Sequence, residues 1–387
     1  MIIRSRIWAP ISLLAVLLPA VSLSSGCRDI DLSSNSPRLR SYAFVTNGKS
    51  SNVSVVDLAS FRVIKTVSVG SDPTGITASP TRNEIYVVNT GSGTVSVLSA
   101  ESLQVESTMR VGNGPFSLEL SPDGRTGYVA NSGSGTVSVM NLHDRQITMT
   151  ITVGRSPGSL KIAPDGKLLI VSNRGSNSIS LIDLETMTVL AELAVGSQPG
   201  PIAILPDSSQ VFVANAGSGT VSAVDLRTHK LLAHLETGKT PAALALKPDG
   251  GELFVTNFDS DSVAIVNTYA DEVAQSLGGG KHPSQAVVDS SGSLLFFSNF
   301  GSHTVSIVDI NSRMVLASIE VGAGPDAVSF TPDGRYLLVL NTQSNDLAVV
   351  DAAKQSLVTV VPLGQAPRAI AMKLFESPLD DSSQLER

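Results

Sequence analysis

Cysteine is almost missing. Cys27 is the only one in 387 residues, so no intrachain disulfide can form and the fold must be held by packing. Tryptophan also occurs once, at Trp8. There is no CxxCH sequence to hold a haem covalently, no phosphate loop and no nucleophile elbow. The formal net charge is −7, and an acidic chain is disfavoured as a nucleic-acid binder. Long apolar runs are absent except for "ISLLAVLLPAVSL" at 11–23. That run is too short, and too marked by proline, to read as a spanning helix. What the chain does have is 32 glycines and many serines, threonines and valines. That mixture suits short strands joined by tight turns.

The apolar run follows Arg4 and Arg6 and leads into "SLSSGC", ending at Cys27. This order is that of an export signal. The small-small-Cys ending resembles a bacterial lipobox. The resemblance implies diacylglycerol on Cys27, cleavage before it and an acylated amino terminus. Leu23 stands four before the cysteine, where the lipobox leucine stands three before, and Ser24 takes its place. Ordinary secretory cleavage after Ser22 is the alternative. Four segments are expected: a signal peptide over 1–26, a tether over 27–40, one folded domain over 41–375 and a tail over 376–387. The expected location is the bacterial envelope, on the outer membrane or periplasmic face. Arg28 implies outer-membrane sorting, since the retention pattern of related lipoproteins has aspartate there.

The rest of the chain is a repeat. Asn47, Asn89, Asn131, Asn173, Asn215, Asn257, Asn299 and Asn341 stand 42 residues apart without an insertion or deletion. Pro73, Pro115, Pro157, Pro199, Pro241, Pro283, Pro325 and Pro367 keep step. Each period holds four β-branched runs bounded by Gly, Pro, Asn or Asp, as in "FSLELS", "TGYVAN", "TVSVMNL" and "QITMTITVG". Four antiparallel strands in about 42 residues make a propeller blade. With strands lettered A to D from the axis outward, the chain opens on a B strand, "YAFVTN", and closes on an A strand, "RAIAMKL". An eight-bladed all-β propeller is therefore expected, with one composite blade joining the two ends; seven blades is the alternative.

The runs "YVVN", "YVAN" and "FVTN", with "GSGTVSV", "SPDG" and the "VG..P" joints, resemble the YVTN-type β-propeller repeat family over residues 41–375. That resemblance implies the fold and an exported or surface protein. Related propellers serve in electron transfer, haem binding and lactone hydrolysis, and the fold does not choose among them.

A residue repeated in every blade does a job every blade needs. The Asn column is expected to bond the following loop as an Asx-turn, and the Pro column to stiffen the D–A joint. Recognition should lie where units differ, on the face carrying the B–C and D–A loops. Units five and six depart most, with "NFDSDSVAIV", "LGGGKHP" and "NFGSHTVSI". They offer Phe258, Asp259, Asp261, Lys281, His282, Phe300 and His303 as candidate ligand or partner contacts. Arg155, Arg174 and Lys239 add positive charge, and Gly278 to Gly280 would admit a close ligand. His143, His229 and His234 read as ordinary surface or strand residues.

No catalytic or metal-ligating residue is assigned and no cofactor is predicted. The mature chain lacks the tryptophan docking repeats of quinoproteins. Asp259 and Asp261 are too few and too local for a lactonase-like metal site. A monomeric envelope-anchored binding or scaffold module is expected. Its partners would be the lipid bilayer through Cys27 and an unknown protein, glycan or small polar ligand. A periplasmic enzyme or redox partner, lactonase-like or haem-binding, is the alternative.

Overall fold

β-Branched B and C runs are apolar at consecutive positions, and a strand of that kind must be covered on both faces. The computed structural model, which describes residues 38–377, shows how. Among the described residues, 32 strands form eight four-stranded antiparallel sheets, and the regular helix is limited to two short 3-10 turns. Blade five is typical: A Pro241–Leu246, B Glu252–Asn257, C Ser262–Asn267 and D Glu272–Gly278. Blade six follows with Pro283–Val288, Leu294–Asn299, Thr304–Asp309 and Met314–Glu320. Strand D of blade five is seven residues long, like that of blade six, so the irregular "YADEV" stretch does not disturb it. The expectations about residues 1–37, Cys27 included, and about 378–387 lie outside the described residues.

Closure follows the composite scheme. Arg38–Asn47, Asn52–Asp57 and Arg62–Ser68 supply strands B, C and D of blade eight, and Pro367–Ser377 adds its strand A. The Ala369 N–H donates to Thr46 Oγ1 at 3.1 Å across this seam. The first strand starts at Arg38 and the last ends at Ser377, so the fold extends slightly past 41–375 at both ends.

The core is a ring of layers rather than one centre. Each apolar cluster joins two consecutive blades. Phe254, Val263 and Ile265 of blade five meet Leu295 and Phe297 of blade six. Ala43, Val45 and Val56 of blade eight meet Leu338 and Leu340 of blade seven, which closes the ring. Strand B is buried along Leu253–Asn257 and strand C along Val263–Val266, whereas strand D at the rim is exposed at six of its seven positions, all but Leu277. The A strands touch their neighbours around the axis and wall a central channel.

Three columns meet at each joint. Every Asn of strand B is fully buried. Asn215 Nδ2 donates to Ser222 Oγ at 2.9 Å and to Thr220 Oγ1 at 3.1 Å. These are hydroxyls of the paired strand C, not groups of the following loop, so the Asx-turn expectation is corrected. The loop cannot compete because the side chain points into the sheet stack. A glycine column, Gly70 to Gly364, packs on the same asparagines. In blade two the contact is a hydrogen bond, with Gly112 N donating to Asn131 Oδ1 at 3.0 Å. The loop serines complete the joint: Ser302 Oγ accepts from Lys281 N at 2.6 Å, and Ser50 to Ser344 repeat the bond in every blade.

Candidate functional site

The B–C loops and D–A joints emerge on one face because backbone bonds zip them together. Phe258 N donates to Thr240 O at 3.0 Å, Phe300 N to His282 O at 2.9 Å and Gly301 N to Lys281 O at 2.9 Å. The residue before each joint proline has φ near +50°, including Thr240 at 53° and His282 at 54°. Only glycine enters that region without steric penalty, so six of the eight joints hold a residue other than glycine in a strained turn.

Phe258, His282 and Phe300 come together. The Phe258 ring meets the His282 imidazole edge-on, with centroids 4.7 Å apart and planes at 76°. It lies 5.9 Å from the Phe300 ring. All three are partly exposed. In the other six blades the residue after the asparagine is Gly48, Thr90, Ser132, Arg174, Ala216 or Thr342, so this aromatic patch belongs to blades five and six.

The neighbouring polar residues are tied into turns. Asp261 and His303 occupy the left-handed position of the B–C loop, at φ 52° and 62°. Asp261 Oδ1 accepts from His282 N at 2.8 Å. His303 Nδ1 accepts from Gly324 N at 3.1 Å, which leaves the ring proton on Nε2 when the imidazole is neutral. Asn177 and Asn345 do the same for the joints at Gln198 and Ala366. Asp259 Oδ2 accepts from Thr240 Oγ1 at 2.5 Å. Lys281 is exposed and its side chain makes no hydrogen bond or ion pair within the described residues. Arg174 is exposed on blade three and donates to Gln198 Oε1 at 3.1 Å. Two glycines of "LGGGKHP", Gly279 and Gly280, serve packing, while a Cβ on Gly278 would meet open space. A Cβ on Gly279 would lie 2.4 Å from the Phe297 ring, and one on Gly280 would lie 2.2 Å from the Asn299 side chain.

Behind the face lies a cavity of about 520 Å³, walled by the inner strands of blades two to six. Phe116, Lys161, Ile202, Leu244 and Gln285 line it, with Arg174 at the loop end. Lys161 Nζ stands 3.5 Å from Glu119 Oε2 on the next inner strand. Burial pushes the Glu119 carboxyl above its ordinary range, and the Lys161 ammonium pulls it part of the way back. Of the cavity residues only Arg174 was legible as a candidate. A signal for Phe116, Gly158 and Gly200 was available: the positions just after the Pro column differ in nearly every blade, reading Thr74, Phe116, Gly158, Gly200, Ala242, Ser284, Asp326 and Arg368.

No group of three or more His, Cys, Asp or Glu side chains is placed to hold a metal ion among the described residues.

A profile of the YNCE-like beta-propellers matches residues 3–130 and 190–291, more than half of the chain. The chain belongs to that family. Among solved structures, this YNCE-like propeller is similar to the dihydro-heme d1 dehydrogenase NirN in complex with DHE. The TM-score is 0.74 at 16% identity, over 85% of this chain and 74% of that one. It is also similar to Kuenenia stuttgartiensis hydrazine synthase, with TM-score 0.60 at 24% identity over 74% and 97% of the two chains. A functionally unknown protein from Desulfotomaculum acetoxidans DSM 771 gives 0.60 at 16% identity over 76% and 100%. At these identities the likeness is one of fold. No curated protein matches the sequence.

Proposed function

We propose that this YNCE-like propeller is a binding protein of the bacterial envelope, held to a membrane by lipid on Cys27. Its B–C and D–A loops would then capture a polar or anionic ligand. The observation that carries the reading is the Phe258–His282–Phe300 patch at the channel mouth, with the exposed Lys281 ammonium beside it. Partly exposed aromatic rings that no repeat position requires are a recognition feature rather than a packing one.

The NirN likeness invites a haem-type reading, and the cavity does not fit it. An axially held macrocycle asks for an imidazole, thiolate or thioether on the wall, and the lining residues include no histidine, cysteine or methionine.

The test compares a Phe258→Ala/His282→Ala/Phe300→Ala variant with Asn215→Ala. Calorimetry against sugars, organic acids and phosphorylated compounds measures binding, and melting measures stability. The triple variant should lose binding and keep its melting point, while Asn215→Ala should do the reverse. A triple variant that unfolds early and binds like wild type overturns the reading. An absorption spectrum with metal analysis of the purified protein separates this role from a cofactor enzyme. Cys27→Ser should move the protein out of the membrane fraction.

A further inference from the structure

The channel cavity has two chemically different sides. Blade three contributes both of its charged lining residues, Lys161 and Arg174, together with Ser156 and Ser159. Blades four and five contribute Pro199, Pro201, Ile202 and Leu244. No acidic residue lines the cavity, although the chain as a whole carries a net charge of −7. The positive lining is therefore local and runs against the average of the molecule.

The donors on the polar side are free to serve a ligand. The hydroxyls of Ser132, Ser156 and Ser159 line the cavity, and within the described residues they make no hydrogen bond. Lys161 has one partner, Glu119, at 3.5 Å, a long contact that leaves ammonium protons unused. Lys161 is 52% exposed, and because it lines the cavity the solvent it meets is that of the channel. The apolar side offers rigid pyrrolidine rings and two branched aliphatic chains, with the half-exposed Phe116 ring on the wall contributed by blade two. A space of about 520 Å³ is in the range of small-molecule sites.

The geometry points to a small organic carboxylate with a compact apolar body as the ligand of this cavity. The carboxylate would lie against Lys161 and the serines of blade three, and the apolar body against Ile202 and Leu244. An inorganic oxyanion would satisfy the first side and leave the second wet. A neutral apolar molecule would leave Arg174, whose partner Gln198 is neutral, without a counter-charge and would leave the ammonium protons of Lys161 beyond its long Glu119 contact unused. The inference rests on the binding role proposed above and carries it from the mouth into the channel.

The experiment is isothermal calorimetry of the full protein with 3-phenylpropionate, its amide, and inorganic phosphate. The carboxylate should bind at least tenfold more tightly than the amide or phosphate. Lys161→Met and Arg174→Gln should each weaken carboxylate binding several-fold, leave amide binding unchanged and keep the wild-type melting point. Equal binding of acid and amide overturns the assignment. So does phosphate binding as tightly as the carboxylate, or a wild-type protein that binds none of the three. Full carboxylate binding in the Phe258→Ala/His282→Ala/Phe300→Ala variant would remove the mouth patch from the site and leave the channel assignment standing. Loss of carboxylate binding in both that variant and Lys161→Met would join the two into one site.

Discussion

Gly280 lies against the Asn299 side chain so closely that a Cβ there would stand 2.2 Å from the amide carbon. The contact joins the D–A joint to the strand B that follows it, 19 residues on. It recurs in every blade, as between Gly112 and Asn131 or Gly364 and Asn47. The spacing of "VG" and "N" in the repeat is thus one physical unit, in which the glycine is small because the amide is there.

Gly280→Ala should therefore destabilise the protein by about 1–3 kcal/mol, the usual range for overpacking a tight site. Chemical denaturation would measure it. An unchanged midpoint would mean that the joint yields without loss.

Asn215→Ala should lower stability by about 1–3 kcal/mol. It takes an amide donor from the buried Ser222 hydroxyl and from the partly exposed Thr220 hydroxyl. Ser222 keeps the His234 Nδ1 contact at 2.9 Å, which places the expected loss toward the lower end. Melting of the purified variant checks this.

Glu84 at the start of strand B in blade one is held by neighbours from two blades. Arg82 Nε lies 3.2 Å and Arg145 Nη2 3.0 Å from its carboxylate, and Tyr86 donates to it at 2.5 Å. Glu84→Ala leaves the Arg82 guanidinium beside a buried phenol without its counter-charge, while Arg145 keeps Glu106, and about 2–3 kcal/mol should be lost. Equilibrium denaturation of Glu84→Ala against Glu84→Gln separates the charge from the shape. An Ala variant as stable as wild type would show the network to be dispensable.

A chain ending before Ala369 lacks most of the inner strand of blade eight and exposes the Arg38–Asn47 edge. It should melt well below the full chain and aggregate on heating. Scanning calorimetry with light scattering would show both.

Acid should loosen the turns. The Ser121 hydroxyl and the Arg125 N–H hold the Asp123 carboxyl below its usual range, and Thr331 and Arg335 do the same for Asp333. A folded value below the unfolded one, near 4, means that the stabilising contribution is complete above the unfolded value. It disappears as pH falls through the folded value. The melting difference between wild type and Asp333→Ala should be largest at neutral pH and shrink at pH 2–3. A difference independent of pH would place the effect in packing alone.

The inter-blade pairing shows where sequence reasoning stops short. Residues 61 apart meet across blades on the side of the C–D turns, and their chemistry changes each time. Examples are Glu84 with Arg145, Gln210 with Asp271 and Glu252 with Arg313, and Tyr336 with Phe61 is the same pairing carried across the ring closure. A column of like residues is visible in one chain because each copy repeats the last. A column of complementary pairs is not, since neither partner repeats.

From the sequence alone came the blade count, the composite closure and the grouping of Phe258, His282 and Phe300. All three follow from a 42-residue period that no insertion interrupts, because a rigid repeat converts sequence position directly into angle around a ring. The turn duties of Asp261 and His303, the asparagine's choice of hydroxyls over loop backbone, and the two-sided channel were decided only by the tertiary structure. Each depends on which way a side chain faces between blades. That direction is set by the stacking of sheets 42 residues apart, and the local sequence of any one strand is compatible with more than one answer.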